Sequence, residues 1–167
     1  MSQPVQPPPG NPFAGGPAGG PAAPYQPAPA PAPARNNVAL GLVAALVAAL
    51  VAAVAYGAIG GAIEREIGYA AIGVGFLVGF AAAKAGGRNP ALPFVAAALS
   101  VGAVYLGQLI AVAVIISNTL GGSAPEILME DFGSLTDLWK ETADGMSYVF
   151  LAIGAVAAFG GAKKANG

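Results

Sequence analysis

Leu42-Val43-Ala44-Ala45-Leu46-Val47-Ala48-Ala49-Leu50-Val51-Ala52-Ala53 is three turns of one four-residue unit, Leu-Val-Ala-Ala, inside a stretch from Val38 to Ile63 with no charge before Glu64. A bilayer hydrocarbon core of roughly 30 Å takes about 20 helical residues, so this stretch is long enough to cross one. An amphipathic water-soluble helix shows a polar face, and none exists here. A step of four residues nearly matches the helical turn, so like stacks on like. One column reads Ala45, Ala49, Ala53, Gly57, Gly61. Such a small-xxx-small seam lets another helix approach closely.

Working outward, Glu64-Arg65-Glu66 is a short polar break that sends the next helix back antiparallel beside the first. The second span is expected over about 67-83, with its own column of Ala71, Gly75, Gly79 and Ala83. The two columns are expected to face each other in a tight hairpin. Gly86-Gly87, Arg88 and Asn89-Pro90 mark a turn, and a third span follows over about 93-116, with Pro93 in the first turn. It carries the small column Ala103, Gly107, Ala111, and Ser100, Tyr105 and Gln108 fall near mid-depth. Residues 118-145 form one long polar connection. Ser123 with Glu126, and Ser134 with Asp137, read as capped helix starts. From Leu135, the residues Leu135, Leu138, Trp139, Thr142 and Met146 share a face, opposite Asp137, Glu141 and Asp144. That pattern predicts a helix lying on the membrane surface, with Trp139 at the interface. A fourth, shorter span is expected over about 146-162.

Residues 1-37 are of another kind. Pro, Ala, Gly and Gln dominate, and Pro27 to Ala34 alternates Pro and Ala, which favours an extended chain over helix or sheet. With little to bury, this tail is expected to be disordered. Its Pro-x-x-Pro spacings around Tyr25 suit proline-binding grooves, although a spacer has the same composition. The fold expected is therefore all-α: a tail, then a transmembrane domain over 38-167 with four spans and an amphipathic extracytoplasmic segment.

Composition narrows the chemistry. Of 167 residues, 56% are hydrophobic and only 9% charged, against about 25% in soluble domains. There is no Cys and no His, which removes disulfides, thiol chemistry and most zinc, haem, iron–sulfur and imidazole mechanisms. Phosphate-binding loops, metal-ligand clusters, catalytic triads and basic nucleic-acid patches are absent. No catalytic, cofactor-binding or metal-binding residue is expected, and so no enzyme.

Charge placement sets an orientation. With four spans, Arg35, Lys84, Arg88, Lys163 and Lys164 fall on one side, while Arg65, Lys140 and all eight acids fall on the other. Basic residues favour the cytoplasmic side, so both termini are expected there. Tyr56, Tyr69, Trp139 and Tyr148 then lie near the outer interface, where aromatic rings anchor.

Three groups of residues are candidates for function. Ala49, Ala53, Gly57, Gly61, Ala71, Gly75, Gly79, Ala83 and Gly107 are expected to pack helix on helix, within the chain or between copies. Ser100, Tyr105 and Gln108 are the intramembrane polar candidates, read as interhelical glue or as points on a solute route. No Asp, Glu, Lys or Arg lies at mid-depth, which argues against an ion- or proton-coupled pump. The stripe Asp137, Glu141, Asp144 lacks the loop spacing of a calcium site and reads as a solvated face.

The run Glu66-Ile67-Gly68-Tyr69-Ala70-Ala71-Ile72-Gly73-Val74-Gly75-Phe76-Leu77-Val78-Gly79, with the Gly-Gly turn and third apolar helix after it, resembles a set of uncharacterised small bacterial membrane proteins. The Pro-rich tail is similar to actinobacterial examples. The resemblance spans about residues 38 to 115 and implies a bacterial plasma membrane, with no activity attached. The sequence as a whole suggests a scaffold or accessory subunit of a membrane assembly, whose partners are lipid and other membrane proteins or itself. A small transporter or channel lined by Gln108, Tyr105 and Ser100 is the alternative.

Overall fold

A computed structural model describes residues 36–64 and 68–167; the expectations for the tail and for the break around Arg65 lie outside the described residues. Over the described residues the chain is an all-α membrane protein of six helices. Four of them are long and apolar enough to cross a membrane: α1 (Val38–Ile63), α2 (Gly68–Gly86), α3 (Leu92–Leu120) and α6 (Gly145–Asn166). At about 1.5 Å per residue, lengths of 19 to 29 residues reach roughly 28 to 43 Å, enough for the hydrocarbon core. Two short helices, α4 (Ala124–Glu130) and α5 (Phe132–Thr142), lie in the long connection.

Local chemistry explains the ends. Asn37 caps α1, its side-chain oxygen accepting the N–H of Leu40 at 3.1 Å. Glu64 closes the same helix in the left-handed region, φ 54°, with its N–H turned to the carbonyls of Gly60 and Gly61. Pro93 stands in the first turn of α3, and the Ser123 hydroxyl caps α4 through the N–H of Glu126. The second start expected in this region is displaced: α5 begins at Phe132 after Asp131, with no side-chain cap, and Ser134 lies within its first turn. The fourth span is longer than the apolar run suggested. Asp144 caps it by accepting the N–H groups of Met146 and Ser147, both at 2.9 Å, and Lys163 and Lys164 extend it at the end where cations suit the helix dipole.

The small-residue columns all find partners, but not the expected ones. Every residue of the packing set, from Ala49 to Gly107, is buried. The seam of α1 faces α3: a methyl at Gly57 would sit 2.5 Å from the Gly107 carbonyl oxygen, and one at Gly61 would sit 2.5 Å from Val114 Cβ. The seam of α2 faces α6. A methyl at Gly75 would overlap the Gly154 carbonyl, and one at Gly79 the Ala158 carbonyl. The α1–α2 hairpin is real, with Gly41 close to Gly86 Cα at its open end, but its two seams do not meet. α1 and α3 run the same way, as do α2 and α6, and in each pair small residues of both helices let the backbones approach closely. Each helix of the hairpin therefore gives its flattest face to a helix from the second half of the chain.

In cross-section the four long helices make a rhombus. α2 and α3 touch across the short diagonal, and α1 and α6 each pack on both of them without touching each other. The core between them is Ala and Val rather than large side chains, with Ala53, Ala71, Val78, Ala96, Val104 and Ala158 fully buried or nearly so. The end where the chain enters α1 is tied by polar bonds. Asn37 N–H donates to the Gly86 carbonyl at 3.0 Å, Asn89 Nδ2 to Asn36 Oδ1 at 3.3 Å, and Arg88 Nη2 to the Asn166 carbonyl at 2.7 Å.

Candidate functional site

The opposite end, where α1 stops and α6 starts, holds the chain's polar concentration. It is built by α5 folding back on α3. Leu135 and Trp139 stand one turn apart on α5, and both are buried, against a set that includes Leu109 and Ala113. The Trp139 indole N–H donates to Gln108 Oε1 at 3.0 Å. The Tyr105 ring meets Trp139 edge-on at 4.9 Å, and Tyr148 approaches it from α6 at 5.5 Å. The Tyr105 hydroxyl donates to Thr136 Oγ1 at 3.2 Å, a second rung between the same two helices.

The surroundings of Trp139 are thus protein side chains. At 8% exposure its ring is a wall of the bundle, packed against protein rather than turned outward. Tyr56, at 6%, is likewise turned inward, whereas Tyr69 and Tyr148 stay exposed. Leu138 and Met146, on the other side of the apolar stripe, are exposed too. The physical reason is that an indole N–H in an apolar setting needs an acceptor, and Gln108 offers one that lipid tails do not.

Beside this cluster opens a cleft of about 280 Å³ between α1, α3, α5 and the start of α6. Tyr56 and Trp139 form walls, Gln108 lies among them, and Glu64, Thr142, Asp144 and Ser147 are the other polar residues of the lining among the described residues. Gln108 is 4% exposed and Ser147 5%, so the inner part is secluded, while the two carboxyl-bearing residues are exposed. The hydrogen bonds donated by Ser147 and Met146 hold the Asp144 carboxyl below its usual range, so it is ionised. Lys140 does not face this group of acids alone: Asp137, 2.9 Å away, holds its ammonium charge and raises its pKa.

Of the three intramembrane candidates, Gln108 lines the cleft and Tyr105 stands behind Trp139. Ser100 is elsewhere. It is fully buried two turns deeper, where α6 crosses α3 at Gly154, and its Oγ has no hydrogen-bond partner among the described residues. The three do not share one lining. Asp144 leaves the acidic stripe: α5 ends at Thr142, and Asp144 belongs to the start of α6. Its role was available in the order Asp144-Gly145-Met146-Ser147, a capping residue ahead of an apolar run. Glu64 had no such signal, because only the fold brings the end of α1 to the start of α6. Among the described residues no group of three or more acidic side chains is placed to hold a metal ion. The chain matches no protein-family model, no curated protein and no solved structure.

Proposed function

We propose that the chain is a small scaffold or accessory subunit of a larger membrane assembly, without catalysis. The observation that carries this reading is the use of Gln108. The amide that a solute route would need at mid-depth serves instead to hold α5 to α3 through Trp139. The core supports it as well, since the α1–α3 and α2–α6 pairs are seated backbone to backbone. The outward surface suits a neighbour: Val43, Leu46, Val47, Leu50, Val51 and Val54 make a broad exposed apolar face on α1, a helix at the edge of the rhombus. The transporter alternative is less well served, because Ser100, Tyr105 and Gln108 do not line one route.

The setting proposed is a bacterial plasma membrane, as the resemblance implies, with both termini cytoplasmic, as the five-to-two split of basic residues favours. Gentle detergent extraction followed by mass measurement tests the function: co-purifying membrane proteins at fixed ratio are expected, and the chain alone at monomer mass overturns it. Removing residues 1–35 is expected to cost a partner on the side of the tail. The absence of Cys makes the orientation easy to read. A cysteine replacing Lys140 should react with an impermeant thiol reagent added outside cells, and one replacing Lys163 should not; the reverse pattern inverts the topology.

A further inference from the structure

The end of the bundle where α1 and α3 begin carries a rim of one sign. Lys84 stands in the last turn of α2, Arg88 in the turn to α3, and Lys163 and Lys164 in the last turn of α6. All four side chains are exposed, and none makes an ion pair among the described residues. All eight acids of the chain fall in the segments toward the opposite end. Residues 1–35 bring one base, Arg35, and no acid, so they cannot reverse the sign. Arg88 does donate to the Asn166 carbonyl at 2.7 Å, which holds it beside the turn that bears Lys163. That partner is neutral. The charge stays uncompensated, and the guanidinium keeps further N–H groups to donate.

The apolar surface next to these cations adds an independent indication. Lys163 is one turn beyond Phe159 on α6, and residues four apart on a helix share a face. Phe159 meets Phe94, from the first turn of α3, edge to face at 5.2 Å, and both rings are exposed. The other flank of α6 repeats the arrangement. Lys84 is one turn beyond Phe80, which stacks on Phe76 at 6.0 Å. A methyl at Gly161 would overlap the Phe76 carbonyl, so this part of α2 lies directly against α6, and Lys164 follows Gly161 by about one turn. Each flank of α6 thus has the same two layers, cations at the rim and a pair of phenylalanine rings one turn further into the apolar span.

We propose that this end of the bundle binds an anionic phospholipid along the flanks of α6. The phosphate lies between Arg88 and Lys163, where a planar guanidinium can hold two of its oxygens at once. The acyl chains run past Phe94 and Phe159. Lys84 and Lys164, over Phe76 and Phe80, make a second seat of the same design. A zwitterionic headgroup brings as much positive charge as negative and leaves the rim unbalanced, whereas clustered Lys and Arg beside a membrane helix attract an anionic one. The assignment needs neither the scaffold reading nor a particular orientation of the termini.

The full chain, purified in a neutral detergent, is titrated with dioleoyl phosphatidylglycerol, and separately with dioleoyl phosphatidylcholine, which has the same chains and no net charge. Lipid retained on the chain is counted by native mass spectrometry. The anionic lipid is expected to bind with a dissociation constant at least about tenfold lower, an advantage that shrinks as salt is raised. Lys84→Gln, Lys163→Gln and Lys164→Gln combined remove three exposed charges and leave the bond from Arg88 to Asn166 in place, so the fold is kept. The advantage should then fall to about threefold or less. Lys140→Gln removes a charge at the opposite end and should change nothing. Excess inorganic phosphate should not displace the lipid, because the rings hold its chains. Equal affinity for the two lipids, an advantage that survives the triple variant, an equal loss in Lys140→Gln, or displacement by inorganic phosphate would each overturn the proposal.

Discussion

The indole N–H of Trp139 rests on the Gln108 amide oxygen at 3.0 Å, in a wall with little access to water. Gln108→Leu keeps the volume and removes the acceptor, leaving a buried donor unmet. Stability in detergent should fall by about 1–3 kcal/mol, read as a lower unfolding midpoint. Trp139→Phe in the same chain should absorb much of that loss, because the orphaned donor goes with the indole, and a double-mutant cycle measures the difference. Asp144 is the other residue with a readable energy. Its carboxyl is held below the usual range by the N–H groups it accepts, Ser147 first. The stability it lends is therefore complete above the ordinary carboxylate value and lost as pH falls through the lowered one. Unfolding midpoints measured down that acid range should decline more steeply in the native chain than in Asp144→Asn, which caps without titrating. Of these residues, Gln108 stands out in the bare sequence because an amide in a charge-free helix needs an explanation. Trp139 does not disclose its environment. The stripe Leu135, Leu138, Trp139 is the same whether it meets headgroups or a neighbouring helix, and the deciding amide lies elsewhere in the chain.

Between elements, the controlling quantity is how close two backbones come. A methyl at Gly79 would overlap the Ala158 carbonyl, so Gly79→Val must push α2 and α6 apart or twist them. The expected cost is about 1–3 kcal/mol or more, seen as a lost or broadened melting transition. Gly73 is the control on the same helix. A methyl there meets nothing within 4 Å, and Gly73→Ala should be neutral or stabilising by up to about 1 kcal/mol. A four-residue period shows which face of a helix is flat, which is why the columns of α1 and α2 can be read without a structure. It does not show which helix lies opposite. Chain adjacency favours the hairpin, but the close backbone approaches of the two seams are made with α3 and α6. Helix ends were legible where a cap is spelled out locally, at Ser123 and Pro93, and slipped where it is not, at Phe132.

For the whole molecule, the layout is two hairpins, α1–α2 and α3–α6, joined by two seams that both cross from one hairpin to the other. Neither hairpin covers its own Gly and Ala columns. Cutting the chain in the turn at Gly87–Pro90 should therefore leave two fragments that survive only together. Co-expressed with a tag on one, the second should be retained through purification; expressed singly, each should be degraded or aggregate. Recovery of either fragment as a stable monomer would contradict the interlocking.

The same layout has a consequence for synthesis. α1 emerges long before α3, and α2 must wait until α3, α4 and α5 have been made before α6 exists at all. During that interval the flat strip of Gly75 and Gly79 is open to any passing helix with a matching strip. The newborn chain is thus most vulnerable just before its last crossing is threaded, and a ribosome that stalls in the acidic connection leaves a membrane protein with its stickiest side uncovered.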